Sequence, residues 1–250
     1  MIFWNHGGGP LKGACFDENH DFDSLTLSEL DEAFAAGVVK RGGKKYDIAG
    51  FDACLMGALE TAQMLSDDAD IMVASEEIEP GAGWDYKALL TKMGENVSAE
   101  KVAAAACDGF MAKCESRKKG ATATLAAIDL SKIQDVINAL QNALSSLKET
   151  RGSEVSALRR LAACSREAEG FGGATESEGM SNLIDLKGMA ASLAENVKLN
   201  GAGWDKVVAA VDAAVLHHVN GSATGGAVFY RNRRKGSGFG YRFKEQGGKR

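Results

Sequence analysis

The 250-residue sequence predicts an α/β fold in which a mostly parallel sheet carries helices on both faces. Short apolar runs of strand length, at residues 1–5, 48–51, 70–74 and 122–128, alternate with longer segments of helical character. Hydrophobic residues at 45% and charged residues at 25% suit a globular chain long enough to bury a substantial core.

Taken in order, residues 1–5 read as a buried strand ending at His6, followed by a loop from Gly7 to Asp23 that concentrates negative charge. Thr26-Leu27-Ser28-Glu29 has the capping-box pattern and opens a helix to about Gly37. The basic residues Lys40, Arg41, Lys44 and Lys45 lead into the second strand, and residues 58–65 suit a helix. The third strand, 70–74, is followed by a loop, 75–84, on the rim where α/β sheets bind ligands. A helix starts near Trp84 or Asp85, another runs from Ser98 to about Arg117, and residues 122–128 make a fourth strand. Residues 131–149 and 153–169 read as amphipathic helices, 170–179 as a polar loop, and 182–197 and 204–219 as helical again. GGAVFYR at 225–231 is the last predicted strand, and the tail 232–250, rich in Gly, Lys and Arg, reads as disordered. The pentapeptide GAGWD occurs at 81–85 and 201–205, each time before a helical run, which suggests a shared helix-entry device.

Two residues at predicted strand tips suggest chemistry. Cys54, in Asp52-Ala53-Cys54-Leu55-Met56-Gly57, falls at a strand-to-helix corner, where amides and the helix dipole would stabilise a thiolate and lower the thiol pKa. His6 ends the first strand and precedes Gly7-Gly8-Gly9, glycines that permit a sharp turn and close ligand approach. Neighbouring parallel strands would bring both tips to one edge, pairing a nucleophile with a proton carrier. Singly, Cys54 reads as a small buried hydrophobe and His6 as a structural histidine. Together they match the caspase spacing, with histidine about 50 residues before the cysteine.

The segments WNHGGG and GFDACLMG, followed by ASEEIEPGAGWDY at residues 74–86, resemble the clostripain-type cysteine peptidases, relatives of caspases, gingipains and legumain. The resemblance takes in LTLSEL at 25–30 and, more faintly, AIDL at 127–130 and LIDL at 183–186; it is specific in the first 90 residues. It implies a caspase-like catalytic domain over 1–130. Residues 131–231 would be a helical elaboration with a final strand, packed on the same domain. It further implies a Cys54–His6 dyad that needs no third residue, with the N–H groups of Gly7 and Cys54 as oxyanion donors.

The substrate would be a peptide or protein cut after Arg or Lys. Asp52 leaves an extended strand on the same face as Cys54, and the family uses the equivalent aspartate to select a cation; its alternative role is to cap the following helix. Asp85 is a second candidate, with an N-cap as its alternative, and Ser75, Glu76 and Trp84 would line the walls. Relatives are often cut autocatalytically between the histidine and the cysteine, an interval that here holds Lys12 and the basic segment 40–45. Caspase-like folds normally have a strand or two before the histidine strand, so the expected fold lacks them and leaves that strand as an edge. The rival reading is therefore an inactive or truncated peptidase-like protein that binds peptides or partners.

Other classes fit less well. The last 20 residues hold eight Lys or Arg and one Glu, leaving 21 basic and 33 acidic residues on 1–230, which argues against nucleic acid. No apolar run approaches a membrane span. No secretory-type leader opens the chain, which reads as cytoplasmic as it stands and secreted if its true start lies upstream. The five cysteines lack a CxxC pair, so neither a disulfide framework nor a zinc site is expected. The run Asp17, Asn19, Asp21 has calcium-loop spacing, but Phe22 and Ser28 replace the glycine and glutamate of an EF-hand. No cofactor is expected, and a looser calcium site, suggested by clostripain's response to calcium, stays an open alternative. A serine esterase would need G-x-S-x-G, which is missing.

Overall fold

The apolar runs of the sequence become neighbouring strands. The computed structural model describes residues 1–94, 96–149, 159, 161–165, 168–172, 183–195, 203–224 and 230–232. From the N-terminus the elements are β1 (Ile2–Trp4), the one-turn helix α1 (Gly9–Lys12), β2 (Ala14–Asp17), β3 (Asp23–Leu25), α2 (Leu27–Lys40), β4 (Tyr46–Asp52), α3 (Leu59–Leu65) and β5 (Ala69–Ala74). There follow α4 (Tyr86–Lys92), α5 (Ala99–Ser116), β6 (Thr124–Asp129), a 3-10 turn (Leu130–Lys132), α6 (Ile133–Glu149), β7 (Gly170–Phe171), β8 (Leu183–Asp185), α7 (Leu186–Glu195), α8 (Trp204–Ala214), β9 (Val215–Asn220) and β10 (Tyr230–Asn232).

The central sheet has the order β1-β4-β5-β6-β9. β1, β4 and β5 are parallel; β6 runs against both β5 and β9, so β9 points the same way as the first three. The pleat sends alternate side chains to two cores. On β5, Met72 and Ala74 join the cluster with α2, α3, α6, α7 and α8, whereas Ile71 and Val73 join the one with Trp84 and α5. The first cluster spans Ala14 to Ala214, so segments on both sides of residue 130 share one core. Phe3 sits between Phe34 and Phe51 at centroid distances of 5.5 Å, pinning β1 to α2 and β4.

Local signals act as expected at several points. Thr26 Oγ1 accepts from the Glu29 N–H and the Glu29 carboxylate accepts from the Thr26 N–H, a complete capping box. In the two GAGWD copies the third residue is left-handed, Gly83 at φ +60° and Gly203 at φ +80°, and each tryptophan is buried at a helix start. Cys107 and Cys114 are buried on α5.

Tertiary contacts shift other expectations. The predicted loop 7–23 holds α1 and the β2–β3 hairpin, tied back by the Gly7–Ala14 bridge. Helix α2 passes Gly37 to reach Lys40, because the missing side chain there leaves room for the Tyr46 ring. The predicted helix 204–219 stops at Ala214: Val215–Asn220 takes the open edge of β6 as β9. Likewise Leu183–Asp185 is a strand, and Asp185 begins α7 by accepting from the Lys187 and Gly188 N–H groups at 3.0 and 2.8 Å. The last strand is Tyr230–Asn232, paired with β8 in a separate three-stranded sheet. Of the predicted helix 153–169 the structure describes 161–165 as helical; most of the loop 170–179, residues 225–229 and the tail beyond Asn232 lie outside the described residues. Among the described residues no helix is long and apolar enough to cross a membrane.

Candidate active site

Strand pairing builds the site. Trp4 is in register with Asp52, and the Asn5 N–H donates to the Asp52 carbonyl at 3.3 Å, so the segments leaving β1 and β4 emerge side by side. Gly7 lies flat against the next turn: a Cβ there would run into the Cys54 carbonyl oxygen, which leaves glycine as the residue that fits. Leu55, at φ +65°, turns the chain sharply after Cys54.

Three backbone N–H groups surround the half-buried sulfur of Cys54. The Glu79 amide donates to Sγ at 3.3 Å, and those of Gly7 and Cys54 itself also favour the thiolate. Burial outweighs them, with a smaller push from the Glu77 carboxylate, and the thiol pKa is raised. This corrects the expectation of a lowered pKa. α3 starts only at Leu59, with Ala58 as its N-cap, so Cys54 stands well before the helix and outside the reach of its dipole.

His6 and Cys54 line the same cavity of about 850 Å³, with Asp52 and Glu79. The His6 ring is mostly exposed, and its Nε2 lies 3.3 Å from Glu18 Oε1; among the described residues no hydrogen bond joins it to Cys54. Asp52 is only 3% exposed. Its Oδ2 accepts from the Trp84 N–H at 3.1 Å and the Tyr86 hydroxyl at 2.9 Å, while Gly83 packs so tightly that a Cβ would press on the carboxylate. It does not cap α3.

The other predicted wall residues sit elsewhere. Asp85 caps α4, accepting from the Ala88 N–H at 3.0 Å. Ser75 is fully buried, its hydroxyl bonded to the Glu77 carbonyl and to Thr124 Oγ1. Glu76 is buried, and desolvation drives its pKa well above the carboxylate range. Trp84 lies under the site rather than on its surface, its ring against Gly50. None of these four lines the cavity that holds His6 and Cys54.

Further residues shape the site through contacts that the sequence does not signal. Thr124 Oγ1 accepts from the Glu76 and Glu77 N–H groups, both at 3.1 Å, and so anchors the loop that brings the Glu79 amide to Cys54. Glu79, Tyr86 and Glu18 enter the site only through contacts between distant segments. Asp17, in the acidic loop, is engaged by the His20 ring at 2.7 Å and the Asn19 N–H. Among the described residues no cluster has a metal-ligand arrangement.

With this geometry in view, the sequence profile of the clostripain family matches residues 1–229. The chain belongs to the clostripain family. Solved structures similar to it share the caspase-like fold. A secreted C11 cysteine protease from Bacteroides thetaiotaomicron, in complex with an irreversible peptide inhibitor, aligns at TM-score 0.68 and 17% identity over 94% of this chain and 66% of its own. A clostripain from the same organism, in complex with a peptide inhibitor, aligns at TM-score 0.60 and 16% identity over 82% and 79%. An inactive zymogen C11 protease from Parabacteroides distasonis aligns at TM-score 0.58 and 17% identity over 88% and 55%. The chain thus spans just under two thirds of the first relative's length and about half of the third's. No curated protein matches the sequence.

Proposed function

We propose that this clostripain-family chain is a cysteine endopeptidase that cleaves after Arg or Lys, with Cys54 as nucleophile and His6 as proton carrier. The observation that supports it best is the shared cavity, which His6, Cys54 and the buried Asp52 all line. A peptide would lie with its cationic side chain toward Asp52 and its carbonyl carbon at Sγ. His6 takes the thiol proton, the C–S bond forms, and the oxyanion accepts from the Gly7 and Cys54 N–H groups. His6 then protonates the leaving amine as the C–N bond breaks, and a water activated by His6 hydrolyses the thioester.

The raised thiol pKa makes proton transfer to His6 the step that this site has to arrange, because a standing thiolate is disfavoured. The His6 ring must leave Glu18 and turn toward the sulfur. An exposed pair of this kind contributes less than about 1 kcal/mol, so little holds the ring outward. The clostripain solved with the inhibitor BTN-VLTK-AOMK, whose VLTK ends in lysine, supports the cationic preference. The outward His6–Glu18 pair favours a second reading, a peptide-binding module without catalysis. A fluorogenic peptide with Arg before the reporter separates them: cleavage that disappears in Cys54→Ala supports the peptidase, and binding without cleavage supports the module.

A further inference from the structure

Glu79 lines the cavity, and the proposed reaction leaves its carboxyl unused. Its backbone N–H serves Cys54, while its side chain, 8% exposed, turns toward Asp52. Glu79 Oε1 accepts from the Trp84 indole N–H at 3.4 Å, and Oε2 has no donor among the described residues. Asp52, by contrast, is held by the Trp84 N–H and the Tyr86 hydroxyl. Two carboxyls thus face one another in a nearly dry place beside the cavity that both residues line. A negative charge on Glu79 there is costly without a cation beside it.

The groups whose charge reaches Glu79 from the surrounding elements do not supply that cation. Asp52, Cys54 and Tyr86 act from β4, the turn after it and α4; Cys107 and Cys114 act from α5. Of the basic residues on this side, Lys113 donates to the Ala82 and Trp84 carbonyls at 2.7 Å, and Arg117 and Lys119 line an adjoining cavity with Glu79 without bonding to it. A proton meets the requirement instead: burial first, then the Asp52 charge, pushes the Glu79 carboxyl well above the usual carboxylate range.

We propose that Glu79 is a second specificity carboxyl, and that a guanidinium or ammonium entering the cavity takes the place of the Glu79 proton beside Asp52. The exchange balances: a monocation enters, Glu79 ionises, and one proton leaves to solvent. The bound side chain then meets two carboxylates instead of one. The inference rests on the Arg or Lys reading given above and adds to it a proton count that Asp52 alone does not produce.

The test is calorimetric titration of acetyl-arginine amide into the Cys54→Ala protein, in two buffers of equal pH and different ionisation enthalpy. Near pH 6, about one proton should be released per ligand bound, and the association constant should rise about tenfold per pH unit while Glu79 holds its proton. In Cys54→Ala with Glu79→Gln the release should fall to zero and the pH dependence should flatten. A neutral analogue, acetyl-citrulline amide, should release none. Binding without proton release overturns the role of Glu79 and leaves the cationic preference standing; absence of binding at millimolar ligand overturns both. Should Glu79→Gln fail to fold, the proton count on the Glu79 protein decides alone.

Discussion

The backbone N–H of Glu79 points at the sulfur of Cys54 across 3.3 Å, although the two residues are 25 positions apart. The amide reaches the sulfur because Thr124, on β6, holds the intervening loop by two N–H groups. The surroundings of the Cys54 sulfur therefore depend in part on a strand that does not line the cavity.

The raised thiol pKa gives a pH-dependent reactivity. Since burial favours the neutral thiol, the rate of Cys54 alkylation by iodoacetamide should climb with pH through neutrality and level off only above about pH 9. Mass-spectrometric counting of the modified residue at several pH values checks this. A plateau already reached at about pH 7 would show a stabilised thiolate and contradict the desolvated site.

Asp52 should separate specificity from stability. Asp52→Asn keeps an oxygen for the Trp84 N–H and the Tyr86 hydroxyl, so the melting temperature should stay close to that of the unaltered protein. Loss of the charge should lower kcat/KM for an arginyl peptide by about thirtyfold or more, on the order of 2 kcal/mol. Asp52→Ala should show the same kinetic loss and also destabilise, by about 1–3 kcal/mol for each donor left unpaired. An Asn variant with unchanged arginyl kinetics would remove Asp52 from the specificity role.

Thr124→Val removes the hydroxyl that serves the buried Glu76 amide, the part-buried Glu77 amide and Ser75 while keeping the shape of the side chain. Urea unfolding should report a loss of roughly 2–4 kcal/mol, and Cys54 alkylation kinetics should change because the Glu79 amide loses its anchor. Thr124→Ser should restore both. A stability loss with unaltered cysteine reactivity would break the link drawn between β6 and the site.

Asp185 supplies a stability test. Burial raises its pKa from 3.8 to about 6, against the Gly188 and Lys187 amides that favour the charged form. The folded state thus holds the proton more tightly than the unfolded chain. This contribution is intact below about pH 4, is lost as pH rises to about 6, and stays lost above that, a difference of about 3 kcal/mol before discounting for partial exposure. Unfolding free energies of the unaltered protein should fall relative to Asp185→Asn across that window. Parallel curves for the two proteins would sink the assignment.

Much of the fold could be read from the chain. The pattern of apolar runs located β1, β4, β5 and β6 because strand burial on two faces demands continuous hydrophobicity, and the Thr26 box and both GAGWD entries are local hydrogen-bond and backbone devices. The residues 204–219 were misread in part because VLHHVN follows a helical segment without a break in pattern; only the vacant edge of β6 makes it a strand. The motifs around His6 and Cys54 follow β1 and β4, which the sheet sets side by side.

What the sequence by itself determined was the alternation of strands and helices over most of the first 130 residues and the motifs of the family, since period, caps and glycine positions are properties of neighbours along the chain. The tertiary structure decided the character of the site: that Asp52 is clasped by Trp84 and Tyr86, that Glu79 faces it, that Asp85, Ser75 and Glu76 are spent on the scaffold, and that the Cys54 thiol is raised. The physical reason is that burial, hydrogen-bond partners and facing charges arise between segments distant in sequence, and desolvation has no signature in any single stretch.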